Sequence, residues 1–192
     1  RDSKRDALPK KYLVASTLFV LAFALDQATK VMARAALSPL HYIDVIPGYL
    51  ELRYAENTGI AFGLFNNLPS GLKLPLFSFI TLVAVGIIIH LLRHAPAPAI
   101  RLPAALGLVL AGALGNLADR FHWPGVVDFI RVQAWPPAGY YWPTFNVADI
   151  AISCGIALLI IDTLFAREPE DEATTAPTPS SPGEPPAAPD GT

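Results

Sequence analysis

Four apolar stretches of about 20 residues each constrain this chain more than any other feature, because that is the length at which an α-helix crosses the hydrocarbon core of a bilayer. They cover residues 12 to about 37, 74–92, 102–118 and 147–165. Inside lipid every backbone N–H and C=O has to be satisfied without water, which a helix does within its own segment. With 53% hydrophobic and only 16% charged residues among 192, the chain is also too apolar for an ordinary soluble domain of this size. The expected fold class is therefore an all-α membrane protein, with four transmembrane helices and a small extracytoplasmic β-rich loop region. The second and third stretches are nearly free of charge, whereas the first reaches Asp26 and Lys30 and the fourth contains Asp149 and Asp162.

Charge between the spans orients them. Four spans put both termini on one side, and the segments on that side hold Arg1, Lys4, Arg5, Lys10, Lys11, Arg93, Arg101 and Arg167. The segments on the other side hold Arg53, Lys73, Arg120 and Arg131. Basic residues favour the cytoplasmic side, so both termini are expected inside. An alternative is that residues 12–25, behind a basic leader, form a cleavable signal peptide with Ala22-Phe23-Ala24 as its small-x-small site. Cleavage there would leave three spans and break the charge pattern. The expected organisation is a basic cytoplasmic leader over 1–11, a four-helix membrane domain over 12–166, and a cytoplasmic tail over 167–192. That tail has seven prolines and six acids against one base, and is expected to be disordered because it has too little apolar surface to bury.

The outer loops carry their own signals. Residues 42–54 are rich in β-branched and aromatic side chains around Pro47-Gly48, which predicts a short hairpin or small sheet at the membrane surface. Trp123, Trp135, Tyr140, Tyr141 and Trp142 would anchor the second outer loop at the interface. In the third span Gly107, Ala111 and Gly115 form a small-xxx-small row that lets another helix approach closely.

With this topology, every unusual polar residue except Asp162 falls in one layer near the outer face. Asp26 and Lys30 lie in the outer half of span one, Asn116, Asp119 and Arg120 at the end of span three, Asn146 and Asp149 at the start of span four, and Asn57 and Asp128 in the connecting loops. An acid inside a span costs about 2.5–3.5 kcal/mol on insertion scales, so a cluster of them at one depth points to a site. Each also has a plain structural reading. Asp26 and Lys30, four apart, can pair on one helix face. Asn146 and Asp149 can be an N-cap and the acid three residues on. Asp119 near a helix C-terminus wants a cation such as Arg120 or Lys30. Asp128, within Val126-Val127-Asp128-Phe129-Ile130, has no adjacent base, and a desolvated carboxylate there would titrate high.

Other chemistries fit less well. Cys154 is the only cysteine and lies in an apolar run, which leaves neither a disulfide framework nor a cysteine-based metal site. His41, His90, His94 and His122 lack metal-ligand spacing, so no metal or cofactor is expected. Ser70-Gly71-Leu72-Lys73 matches the S-x-x-K pattern of serine hydrolases, but neither S-D-N nor K-T-G accompanies it. A proton-coupled transporter would also use intramembrane acids, yet it needs polar residues near the midplane, and spans two and three offer almost none.

Five segments in order carry a more specific resemblance: Asp26-Gln27-Ala28-Thr29-Lys30, Asn57-Thr58-Gly59-Ile60-Ala61-Phe62-Gly63, Gly112-Ala113-Leu114-Gly115-Asn116-Leu117-Ala118-Asp119-Arg120, Val127-Asp128-Phe129 and Phe145-Asn146-Val147-Ala148-Asp149. The chain resembles lipoprotein signal peptidase, or signal peptidase II, over residues 12–166. The resemblance implies an aspartyl endopeptidase of the bacterial inner membrane that acts on diacylglyceryl-modified prolipoproteins among membrane lipids. It implies Asp128 and Asp149 as the catalytic pair. Asn57, Asn116, Arg120 and Asn146 would position substrate and aspartates, while Asp26, Lys30, Gly112 and Asp119 would support the site. The active site would face outward, and a monomer without an obligate protein partner or nucleic acid is expected.

Overall fold

The computed structural model describes residues 9–59, 68–96, 99–135 and 139–165. The tail over 167–192, most of the basic leader, and Ile60 to Gly63 of the second motif lie outside the described residues. Four long helices carry the apolar stretches: α1 (Lys10–Ala36), α2 (Ser70–His94), α3 (Arg101–His122) and α4 (Val147–Phe165), all long and apolar enough to cross a membrane. Between them stand β1 (Ile43–Ile46), β2 (Leu50–Asn57), β3 (Val126–Trp135) and β4 (Tyr140–Tyr141).

The helices extend beyond the apolar stretches that announce them. α2 starts at Ser70 rather than 74, and α3 continues past 118 to His122. Hydrophobicity marks the lipid-facing length, while helical hydrogen bonding continues into polar sequence, so Asn116, Asp119 and Arg120 all ride on a regular helix. α3 is the centre of the bundle and packs against α1, α2 and α4. Its small residues make this close approach feasible. A Cβ at Gly107 would strike the Ala15 carbonyl of α1, and one at Gly112 would strike the Ala148 carbonyl of α4. Ala111, between them, is 1% exposed. At the other end of the bundle Lys11 Nζ donates to the carbonyl oxygens of Arg93 and Ala95, each at 2.8 Å, and so ties the start of α1 to the end of α2.

The four strands form one antiparallel sheet in the order β1-β2-β3-β4. The expected hairpin is present: Tyr49 N–H donates to the Ile46 carbonyl at 2.9 Å, and Gly48 has φ of 71°. Proline at the second position and a positive-φ glycine at the third fit a type II turn. The segment between α3 and α4 departs from its expected role as an aromatic anchor alone. It contributes β3, ten residues long, which pairs with β2 so that Ala55 faces Asp128 and Asn57 faces Val126. Glu51 of β2 pairs with Arg53 of the same strand at 3.4 Å and reaches Arg131 of β3 at 3.6 Å, which ties the two central strands. A small core of Ala33, Leu37, Val127 and Phe129 seats the sheet on the C-terminal end of α1.

Candidate active site

Asp149 comes from the first turn of α4, and Asn146 precedes that turn as its cap. Asn146 Oδ1 accepts the backbone N–H of Asp149 at 3.0 Å, and Asp149 Oδ2 accepts the backbone N–H of Asn146 at 3.1 Å. This is the reciprocal capping box, with an aspartate in the place usually taken by a glutamate.

Asp128 arrives from β3, and tertiary folding brings it to the same asparagine. Asn146 Nδ2 donates to Asp128 Oδ1 at 2.7 Å, while Asn57 Nδ2, from the end of β2, donates to Asp128 Oδ2 at 3.1 Å. The Asp128 carboxyl is pushed up from the ordinary aspartate value to about 7. Burial is the main cause and the negative charge of Asp149 adds to it, against the opposing effect of the two amide hydrogen bonds and of Lys30.

α3 closes the site. Asn116 Nδ2 donates to Asp149 Oδ1 at 2.9 Å, and Asn116 Oδ1 accepts from Asn146 Nδ2 at 3.1 Å. One turn on, Arg120 donates to the Asn116 carbonyl at 3.1 Å and to the Gly59 carbonyl at 2.6 Å, with its guanidinium 4.3 Å from the Phe77 ring centre. A cavity of about 200 Å³ opens beside it, lined by Thr58, Ser70, Lys73, Phe77 and Trp123 among others.

Beneath the aspartates lies an ionic network built on the buried Lys30, Asp26 and Asp119. Lys30 pairs with Asp26 at 2.9 Å, as the sequence spacing predicts, and with Asp119 at 3.2 Å. Of the two cations expected for Asp119, Lys30 is a partner and Arg120 is not; the second is Arg34, at 3.0 Å. Arg34 was missed, although it lies on the face of α1 that Asp26 and Lys30 already mark and follows them at the same interval of four. The two acids also act on backbone. Asp26 Oδ1 accepts the N–H of Ala148 at 2.9 Å, which holds the start of α4, and Asp119 Oδ2 accepts the N–H of Val127 at 3.2 Å, which holds β3 beside Asp128. Gly112 lets α4 come this close.

All ten residues singled out from the sequence thus converge on one layer at one end of the bundle. Of the groups of the alternative chemistries, Ser70 and Lys73 line the cavity beside Arg120, and the histidines of α2 lie far from it. Ser70 is exposed, and His90 and His94 pack against each other, rings tilted by 36°, at the opposite end of α2. Among the described residues no group of three His, Cys, Asp or Glu could hold a metal ion.

The arrangement can be set beside known proteins. The family model described as signal peptidase (SPase) II matches residues 18–165, which contain every one of these side chains. The chain belongs to the signal peptidase II family. It is 37% identical to the lipoprotein signal peptidase of Geobacter sulfurreducens, over 80% of this chain and 92% of that protein. Its identity to the lipoprotein signal peptidase of Aquifex aeolicus is 40%, over 79% of this chain and 86% of the other. Two solved structures, both described as a bacterial membrane enzyme structure by the in meso method, share the fold. One has TM-score 0.68 at 30% identity, covering 82% of this chain and 88% of its own. The other has TM-score 0.67 at 28% identity, covering 87% and 100%. A signal peptidase II is an aspartic-type peptidase, and this one is a multi-pass bacterial membrane protein.

Proposed function

We propose that this enzyme removes the signal peptide from bacterial prolipoproteins with Asp128 and Asp149 as its catalytic pair, cutting on the N-terminal side of the diacylglyceryl-modified cysteine. One observation carries the assignment. Two carboxylates from different elements, a strand and a helix start, meet at a single asparagine, Asn146, at one end of the bundle. Two neighbouring carboxylates do not both ionise cheaply, so the pair holds one proton. The ionised member draws a proton from water, which attacks the scissile carbonyl carbon, and the protonated member hydrogen-bonds the carbonyl oxygen. No covalent intermediate forms. Arg120, with Asn57 and Asn116, supplies donors for substrate backbone that has left water.

The excess of basic residues in the terminal and α2–α3 segments supports both termini inside and the site outward. In that orientation the lipid chains of the substrate stay in the outer leaflet while the scissile bond reaches the aspartates. The peptidase unit is residues 12–166, acting as a monomer, with the leader and tail cytoplasmic. The test is cleavage of a diacylglyceryl-modified prolipoprotein in detergent by the wild type, Asp128→Asn and Asp149→Asn, with folding followed by thermal unfolding. Each variant is expected to stay folded and to lose about 10³-fold or more in rate. Normal cutting by either variant would sink the pair.

A further inference from the structure

Three asparagine side chains touch the two aspartates, and a donor that cannot act otherwise sets the orientation of each amide. An ammonium has three N–H donors and no acceptor. Lys30, at 0% exposure, aims its donors at Asp26 Oδ2 (2.9 Å), Asp119 Oδ2 (3.2 Å) and Asn116 Oδ1 (2.8 Å). Asn116 must therefore turn its oxygen to Lys30 and its NH₂ to Asp149. Backbone N–H groups do the same for the other two. Asn146 Oδ1 takes the N–H of Asp149, which sends its NH₂ to Asp128, and Asn57 Oδ1 takes the N–H of Gly59 at 3.0 Å, which sends its NH₂ to Asp128 as well.

The two carboxylates so wired differ in their surroundings. Asp149 lies at the positive end of α4, accepts a backbone N–H there, and receives its amide N–H from an asparagine polarised by the Lys30 cation. It is also partly open to water. Asp128 is 2% exposed, stands on a strand with no comparable dipole, and has only neutral amides as donors. The charges that face the pair can be counted. Lys30 and Arg34 of α1 offset Asp26 and Asp119, and at the rim Lys73 of α2 donates to Thr58 Oγ1 at 3.3 Å. Arg120 of α3 adds a positive charge near enough to feel both catalytic carboxylates as well as Asp119.

We infer that Asp149 is the ionised base and Asp128 the protonated acid, and that Lys30 is a positioning residue that enforces this division through Asn116. The inference rests on the peptidase reading above. A proton passes from water to Asp149 as the water oxygen bonds to the carbonyl carbon, and Asp128 gives its proton to the carbonyl oxygen, which yields a neutral gem-diol. Asp149 then protonates the amide nitrogen as the C–N bond breaks, and Asp128 recovers a proton from a diol hydroxyl. One water is consumed and the pair returns to its starting state.

The pH profile of kcat/KM distinguishes the two aspartates. Its acid limb belongs to the base and its alkaline limb to the acid. Asn116→Ala removes an N–H from Asp149 and leaves Lys30 paired with Asp26 and Asp119, so the acid limb moves up by about 1 pH unit and the alkaline limb stays. Asn57→Ala removes an N–H from Asp128 and moves the alkaline limb up instead. Lys30→Gln moves the acid limb as Asn116→Ala does, and moves it less when Asn116 is already Ala. Interchanged limbs would make Asp128 the base and overturn the inference, as would both asparagine variants moving one limb, or neither limb moving. If Lys30→Gln moves the alkaline limb or none, its positioning role fails; if it does not fold, the two asparagine variants decide the division alone. Asp128→Asn and Asp149→Asn run alongside, and their full activity would instead overturn the peptidase pair itself.

Discussion

α2 and α3 are apolar helices of similar length, 25 and 22 residues, yet about a tenth of the apolar window of α2 is buried against half of that of α3. α2 turns large side chains such as Phe79 and Leu82 outward, where lipid would lie. α3 turns glycines and alanines toward its neighbours and ends in Asn116, Asp119 and Arg120. In lipid, apolar surface gives no reason for one helix to seek another, so association rests on close packing and on polar contacts. α3 has both and α2 has few of either. Of these two the more apolar helix is therefore the peripheral one, and the helix rich in small residues organises the site.

The strongest way to break this contrast is through the ionic layer that α3 shares with α1. Asp119→Ala strips Lys30 and Arg34 of a buried partner and is expected to cost about 3–5 kcal/mol, read as a large fall in melting temperature in detergent. A change near zero would mean that the network does not hold this end of the bundle together. Paired glycine substitutions should have a smaller effect. Gly112→Ala forces α4 away from α3 and should cost about 1–3 kcal/mol, with slower cleavage because Asp149 moves with α4. Gly86→Ala in α2 meets nothing within 4 Å and should stay within about 0.5 kcal/mol of the wild type. Equal costs at the two glycines would erase the distinction between centre and periphery.

The finest adjustment concerns Asp128, whose carboxyl rises from 3.8 to about 7 on folding. A group raised in this way favours the folded state least when it must ionise there. The penalty is absent below the unfolded value of 3.8, grows as pH rises through the interval, and is complete above about 7. Asp128→Asn should accordingly melt higher than the wild type at about pH 8, with the advantage gone below about pH 4. A constant difference across that range would remove burial as the source of the shift.

Much of this was legible in the residues. Span count followed from apolar length, the first hairpin from Pro47-Gly48 between β-branched runs, and the layer of polar groups from putting the spans in order. β3 was not read from the residues: apolar and polar side chains alternate over 127–129 and again over 130–134, but the phase slips between Phe129 and Ile130, and the continuous strand is set by pairing with β2 and by the Phe145 contact to Ile130. The pairing of Asp119 with Arg34 rather than with its chain neighbour Arg120 was equally hidden. Adjacent residues on a helix point about 100° apart, so Arg120 is turned toward Gly59 and Phe77 while Asp119 faces α1.

By itself the sequence determined that the chain enters a bilayer as four helices and gathers its acids and amides at one face, because hydrophobic length and the energetic penalty for charge in lipid act on each segment separately. Only the tertiary structure decided that Asp128 meets Asp149, which amide each carboxylate receives, and which cation stands behind them. Those choices depend on hydrogen bonds between residues 18 to 122 positions apart, and each bond exists only after α1, α3, α4 and the sheet have packed against one another.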